Sequence, residues 1–358
     1  MKTKLIGLGL VVVLVMAFLL PACVPAPPPE EEEEELADTI TCVQAWTLAY
    51  FEAVAAFADE KLGVDYRQLY MSCGEIHAKQ LAEAPYFTVD MVFGACGAQA
   101  NDAKKNGWAV QYDSPTWRGV GPEFKDPDNY WWSIANWVVV LIGNRDMLDE
   151  AGVSIDDFKS WDDLLDPRWK DQIVMPSPYT SGSAYLMVYS IMTEYGFNRG
   201  RDEEAGWEYL EALNKNIAYY TRSGAAPADL VGRGEYMLGL TYDEAIHARI
   251  EEGFPIVWTM PEEGIGYDTS PCYIYKTTTG KELYTCKKLI DLFGTLEFSK
   301  LSAAAGLIPK DPEAPSAFFA AAGKEPIFIK NIDMTYAIEN RDRLVEEWAE
   351  RIGRIPAE

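Results

Sequence analysis

Ile173-Val174-Met175-Pro176-Ser177-Pro178-Tyr179-Thr180-Ser181-Gly182-Ser183-Ala184-Tyr185 is the stretch whose reading decides the fold. Three apolar residues bounded by turn signals read as a short buried strand. Ser181-Gly182-Ser183 then opens a helix expected over 183–195, because a serine hydroxyl satisfies amides that a helix start leaves unpaired. Strand, small polar turn and helix make half of a βαβ unit, and the pattern recurs outward in both directions. Toward the N-terminus, strands are expected at 39–43, 64–69 and 89–93, with helices at 48–57 and 75–84 between and around them. Residues 138–142 form a continuous apolar strand, and a helix starting at Asp146 runs into Ser160-Trp161-Asp162. Toward the C-terminus come helices at 203–213, 227–233 and 287–296, strands at 217–220, 237–241 and 256–260, and a charged amphipathic helix at 341–352. Such alternation places the chain in the α/β class, where ligands bind outside the carboxyl ends of the strands.

The chain has 358 residues, of which 48% are hydrophobic and 24% charged, so the body is globular rather than disordered. A body of roughly 320 residues exceeds what one core supports and implies two domains. The formal net charge of −25 repels phosphate backbones and argues against nucleic-acid binding. Only His77 and His247 are present, which excludes a multi-histidine metal site. Residues 1–22 read as a signal peptide: two lysines, sixteen residues without charge, then small residues before a cysteine. Leu20-Pro21-Ala22-Cys23 resembles the bacterial lipobox, with Cys23 as the lipidation site, although Pro21 departs from the usual residue there. The Pro/Glu run that follows reads as an extended tether over 23–37. Five further cysteines would stand in an oxidising compartment. Cys272 and Cys286 flank what reads as a hairpin and are the favoured disulfide; Cys73 with Cys96, both just past strand-like runs, is a second pairing.

The segment Ser160-Trp161-Asp162-Asp163-Leu164-Leu165-Asp166-Pro167-Arg168-Trp169-Lys170, leading into 173–185, resembles the solute-binding proteins of ATP-binding-cassette (ABC) importers, in the branch that includes ferric-ion, thiamine and aminoethylphosphonate binders. Residues 215–227 and 233–240 carry the same resemblance. It implies a periplasmic-binding-protein-like fold, two α/β lobes with a ligand cleft between them. Lobe 1 is expected from 38–137 plus about 266–308, and lobe 2 from 138–265 plus about 309–358. It also implies a monomeric, non-enzymatic, cofactor-free receptor, exported and lipid-anchored on the outer face of the cytoplasmic membrane, which passes a small-molecule ligand to an ABC permease.

Ser181, Gly182 and Ser183, with Ser223 and Gly224, are candidate donors to an anion at helix starts of the second lobe. Ser72 and Glu75 face them from the first lobe, Glu75 being free to accept a cationic group. Trp46, Trp137, Tyr185 and Tyr242 are candidate aromatic contacts, and Tyr220 lies beside the same loops. These point to a small organic anion or zwitterion of phosphonate or carboxylate type. Iron binders of the family present paired tyrosines, a histidine and a glutamate. Here only Glu75 matches cleanly, so a ferric site from Glu75, Tyr242 and Asp243 is the alternative. An exported hydrolase with Ser181 or Ser183 as nucleophile lacks the G-x-S-x-G turn. Cys23→Ser is expected to release the protein from membranes or leave the signal peptide attached; fractionation with mass measurement checks this, and a processed, membrane-retained variant would contradict it.

Overall fold

The computed structural model describes residues 35–121 and 124–353. The expected signal peptide, the expected lipidation site at Cys23 and almost all of the expected tether lie outside these residues. In chain order the elements are β1 (Thr39–Gln44), α1 (Leu48–Leu62), β2 (Asp65–Tyr70), α2 (Cys73–Glu83), β3 (Met91–Phe93), α3 (Gly97–Lys105) and β4 (Trp132–Asn144). There follow α4 (Arg145–Ala151), β5 (Ile173–Pro176), α5 (Gly182–Ile191), α6 (Glu203–Asn214), β6 (Ile217–Thr221), α7 (Ala226–Gly232), β7 (Leu238–Tyr242) and α8 (Asp243–Glu251). The remainder is β8 (Ile256–Thr259), β9 (Tyr267–Ile274), α9 (Gly280–Phe293), α10 (Leu296–Ala304), α11 (Ala317–Ala322), α12 (Met334–Glu339) and α13 (Arg341–Arg351).

Strand pairing runs β2-β1-β3-β9-β4-β7-β5-β6, with β8 also on β4. Two parallel clusters, β2-β1-β3 and β7-β5-β6, form the cores of two lobes, and the antiparallel strands β4 and β9 connect them. β4 does this along its own length: Trp132 to Val138 pair with β9, whereas Val139 to Gly143 pair with β7. All thirteen of its residues are buried, as expected of a strand covered on both faces. Helix ends follow local chemistry. The Thr47 hydroxyl accepts the Tyr50 amide to start α1, Gly63 ends it in a left-handed turn, and Tyr50, Phe51, Val54 and Ala58 form its buried stripe.

Three expectations need correction. β4 starts at Trp132 rather than 138, because the apolar run before the expected strand pairs with β9. Trp161–Leu165 is a short 3₁₀ turn capped by Ser160, not the end of a helix from Asp146, which stops at Gly152 in a left-handed conformation. The Cys272–Cys286 hairpin does not exist. Cys272 sits in β9 opposite Trp132, the chain after Ile274 turns into α9, and Cys286 lies on that helix, so the two never face each other across paired strands. Both are free, as is Cys42, and all three are buried. The disulfide is Cys73–Cys96. Cys73 is the first residue of α2 and Cys96 caps α3, so both emerge beyond the carboxyl end of the same parallel sheet. Closing a loop with a sequence separation of 23 restrains the unfolded chain, a contribution of about 3 kcal/mol. Cys73→Ser should lower the denaturant midpoint accordingly. Non-reducing peptide mapping should join the Cys73 and Cys96 peptides and find Cys42, Cys272 and Cys286 as thiols.

Candidate ligand cleft

A cavity of about 920 Å³ opens where the carboxyl ends of both parallel clusters meet. The first lobe supplies Ala45 and Trp46 after β1, Tyr70 and Ser72 at β2, and Gly94, Ala95 and Cys96 after β3. From the second lobe come Thr180 to Ser183 after β5, Arg222 to Gly224 after β6, and Tyr242 at the end of β7. One face of α13 closes the remaining side with Arg341, Asp342, Val345, Glu346 and Ala349.

The Ser181 hydroxyl caps α5, and its oxygen lies 2.8 Å from that of Ser183. Both serines are buried. Gly224 lies against them: a β-carbon there would come within 2.6 Å of Ser183 Oγ and 2.9 Å of Ser181 Oγ. Gly182 meets the other lobe, where a β-carbon would lie 2.4 Å from Cys96 Sγ. The lobes touch again where Thr47 donates to the Glu244 carboxylate, and where the Trp46 and Tyr242 rings meet edge to face at 6.1 Å. The Trp46 indole N–H has no partner among the described residues.

Of the residues named from sequence, Trp46, Ser72, Glu75, Trp137, Ser181, Gly182, Ser183, Ser223, Gly224 and Tyr242 line this cleft. Tyr185 does not. It lies one helical turn deeper, buried, with its hydroxyl donating to the Ala337 carbonyl. Asp243 also falls outside. It is fully buried and accepts the Val138 amide at 3.4 Å and the Glu244 amide at 3.1 Å. Glu75, Tyr242 and Asp243 therefore do not converge on one point. Burial also holds the Tyr242 hydroxyl well above its ordinary range, which disfavours the phenolate that a ferric ion prefers. Tyr220 is buried and packs on Trp348, away from the cleft. Glu75 is not simply free: its Oε2 accepts the Ser72 amide at 2.8 Å and the Ser72 hydroxyl at 2.9 Å in a capping box. The loop after β6 leads into a helix of seven residues capped at Ala225, so Ser223 offers its hydroxyl rather than a long helix start. Neither histidine lines the cleft. Sequence reading missed Tyr70 at the end of β2, missed Thr180 and Arg222 although both sit on loops it had selected, and missed the α13 face altogether.

Two α/β lobes joined by crossing strands, with a cleft at their strand ends, are the architecture of a solute-binding protein. The profile of the bacterial extracellular solute-binding protein family matches residues 90–333, and the chain belongs to that family. An uncharacterised protein of Haemophilus influenzae is 25% identical over 309 residues, covering 82% of this chain and 84% of that one. In structure the chain is similar to the periplasmic binding protein AfuA of Actinobacillus pleuropneumoniae, solved with exogenous fructose-6-phosphate bound: TM-score 0.78, 23% identity, 89% of this chain and 100% of that one. The ferric binding protein of Campylobacter jejuni gives a TM-score of 0.72 at 17% identity, covering 87% and 99%. At these identities the structural likeness speaks to fold alone.

Three buried carboxyls neighbour the cleft-lining residues: Asp243 follows Tyr242, Glu244 accepts from Thr47 beside Trp46, and Asp268 is paired with Trp137. Burial raises Glu244 from its ordinary 4.5 to about 7, against the opposing effects of the Thr47 hydrogen bond and Arg249. Burial likewise raises Asp268 to about 6 and lifts Asp243 well above the carboxylate range. The folded protein thus holds protons that the unfolded chain releases. This stability is fully present below about pH 4.5 and is lost as pH rises through the folded values. The melting temperature should fall between about pH 5 and 7.5, and Glu244→Gln should flatten that fall. A slope unchanged in the variant would show that Glu244 carries no part of it.

Proposed function

We propose that the protein is an exported, lipid-anchored receptor of an ABC importer that binds a small organic anion carrying a phosphate or phosphonate group and hands it to a permease. The observation that carries this reading is the convergence of donors on one end of the cleft. Ser181 and Ser183 at the start of the ten-residue α5, Arg222 and Ser223 all line it, and the Ser181 and Ser183 hydroxyl oxygens lie 2.8 Å apart. Amides at a helix start and an arginine favour a tetrahedral anion with several acceptor oxygens. Glu75, Asp342 and Glu346 line the same cavity and can receive hydroxyl or ammonium groups on the rest of the ligand. Trp46, Trp137 and Tyr242 supply apolar surface. A carboxylate ligand would use the same donors less completely. AfuA, similar in fold, has fructose-6-phosphate bound, which supports a phosphate ester as the kind of ligand to test first.

The lobe limits that go with this reading are 38–137 plus 266–308, and 138–265 plus 309–358. They make β4 and β9 the hinge about which the lobes move, with the ligand stabilising the closed arrangement. No step in this account breaks a covalent bond. Titration calorimetry with fructose 6-phosphate, 2-aminoethylphosphonate, citrate, thiamine and ferric citrate tests it. A phosphorus-bearing ligand should bind best, and Ser183→Ala should weaken it by about 1–3 kcal/mol by leaving an anion oxygen without its donor. Preferred binding of ferric citrate, lost in Tyr242→Phe and retained in Ser183→Ala, would replace this reading with the metal one.

A further inference from the structure

Helix α13 is held from behind. Leu344 and Trp348 are buried, Arg343 makes two hydrogen bonds to Glu203, and Arg351 makes two to Glu204 on α6. Arg341, at the first turn, belongs to the opposite, cleft-lining face. Its side chain is 12% exposed. Among the described residues its guanidinium has one hydrogen-bond partner, the neighbouring Asp342 carboxylate at 3.4 Å, and it lies 5.6 Å from the Tyr185 ring. Tyr185 is in the first turn of α5. A largely buried cation therefore lines the cleft, with one long ion pair to Asp342 and an attraction to Asp102 to compensate it. Arg343 and Arg351 satisfy theirs with two-point carboxylate contacts. An anion in the cleft would give this guanidinium the two-point partner that Arg343 and Arg351 already have.

We propose that Arg341 determines the charge of the head group the cleft accepts, favouring a doubly charged phosphate or phosphonate over a singly charged anion of the same shape. The inference rests on the anion reading above and adds to it a residue from α13. A guanidinium contributes more to binding when the head group carries two charges than when it carries one, whereas hydroxyls and amides respond mainly to shape and acceptor number. On the far side, His77 and Asp102 of α2 and α3 interact electrostatically with Arg341 and Asp342, so the helix is also sensed by the first lobe.

Phenyl phosphate and phenyl sulfate share a tetrahedral head but differ by about one charge at pH 8. Calorimetry of the full chain should show the phosphate ester preferred. Arg341→Gln should weaken it roughly tenfold or more while changing the sulfate ester little, so that the preference collapses. Arg341→Lys should restore most of the preference, and Arg343→Gln, on the clamped face, should keep it. Melting temperatures near wild type would show that the variants are folded. An Arg341→Gln protein that retains the preference, or loses both esters to the same degree, overturns the proposal and leaves the anion reading standing. Wild-type protein that binds neither ester overturns both.

Discussion

The contact between Gly182 and the Cys73–Cys96 disulfide governs the geometry of the cleft. A helix start from one lobe is pressed against a cross-link from the other, so closely that Cys96 Sγ would lie 2.4 Å from a β-carbon at residue 182. The disulfide ties the first turns of α2 and α3 together, and the surface it makes is what α5 meets. Ser181 and Ser183 flank that contact and are buried by it, while Gly224 packs onto their hydroxyls from the neighbouring loop. Any larger side chain at 182 would hold the lobes apart, and donors arranged to surround one anion would no longer do so.

The cleft carries both signs, with Arg222 and Arg341 lining it beside Glu75, Asp342 and Glu346. A protein of formal charge −25 lines part of this cavity with Arg222, Arg341 and the amide end of α5. The buried carboxyls nearest it, Asp243, Glu244 and Asp268, are pushed by burial toward their neutral forms, which limits the negative potential they would otherwise impose on an arriving anion. The acidic outer surface then affects solubility and long-range approach more than recognition.

The α/β class and the loops after the parallel strands were legible because they depend on local patterns: short apolar runs, small polar turns and serine caps. What was not legible depended on direction and on tertiary partners. Asp243 follows Tyr242 at a strand end, where successive side chains turn to opposite faces, so one lines the cleft and the next is buried behind it. Tyr185 is four residues after Ser181 on the same helix, one turn further from the opening. Cys272 and Cys286 read as hairpin partners only if the short stretch 281–286 is a second strand; it is instead the first half of α9, which carries Cys286 away from the ladder of β9. Residues 341–352 were recognised as an amphipathic helix, but its polar face becomes a wall of the site only because Arg343 and Arg351 clamp the helix to α6, a docking that no local pattern encodes.

The account stands or falls on what the cleft holds. A crystal structure of protein purified from its native cells without added ligand, with phosphorus and metals assayed in the same sample, is the most direct measurement. A tetrahedral anion on Ser181, Ser183 and Ser223, with about one phosphorus per chain, is the predicted result. A metal ion bound through Tyr242, or a phosphorus-free solute that leaves those serines uncontacted, would contradict it.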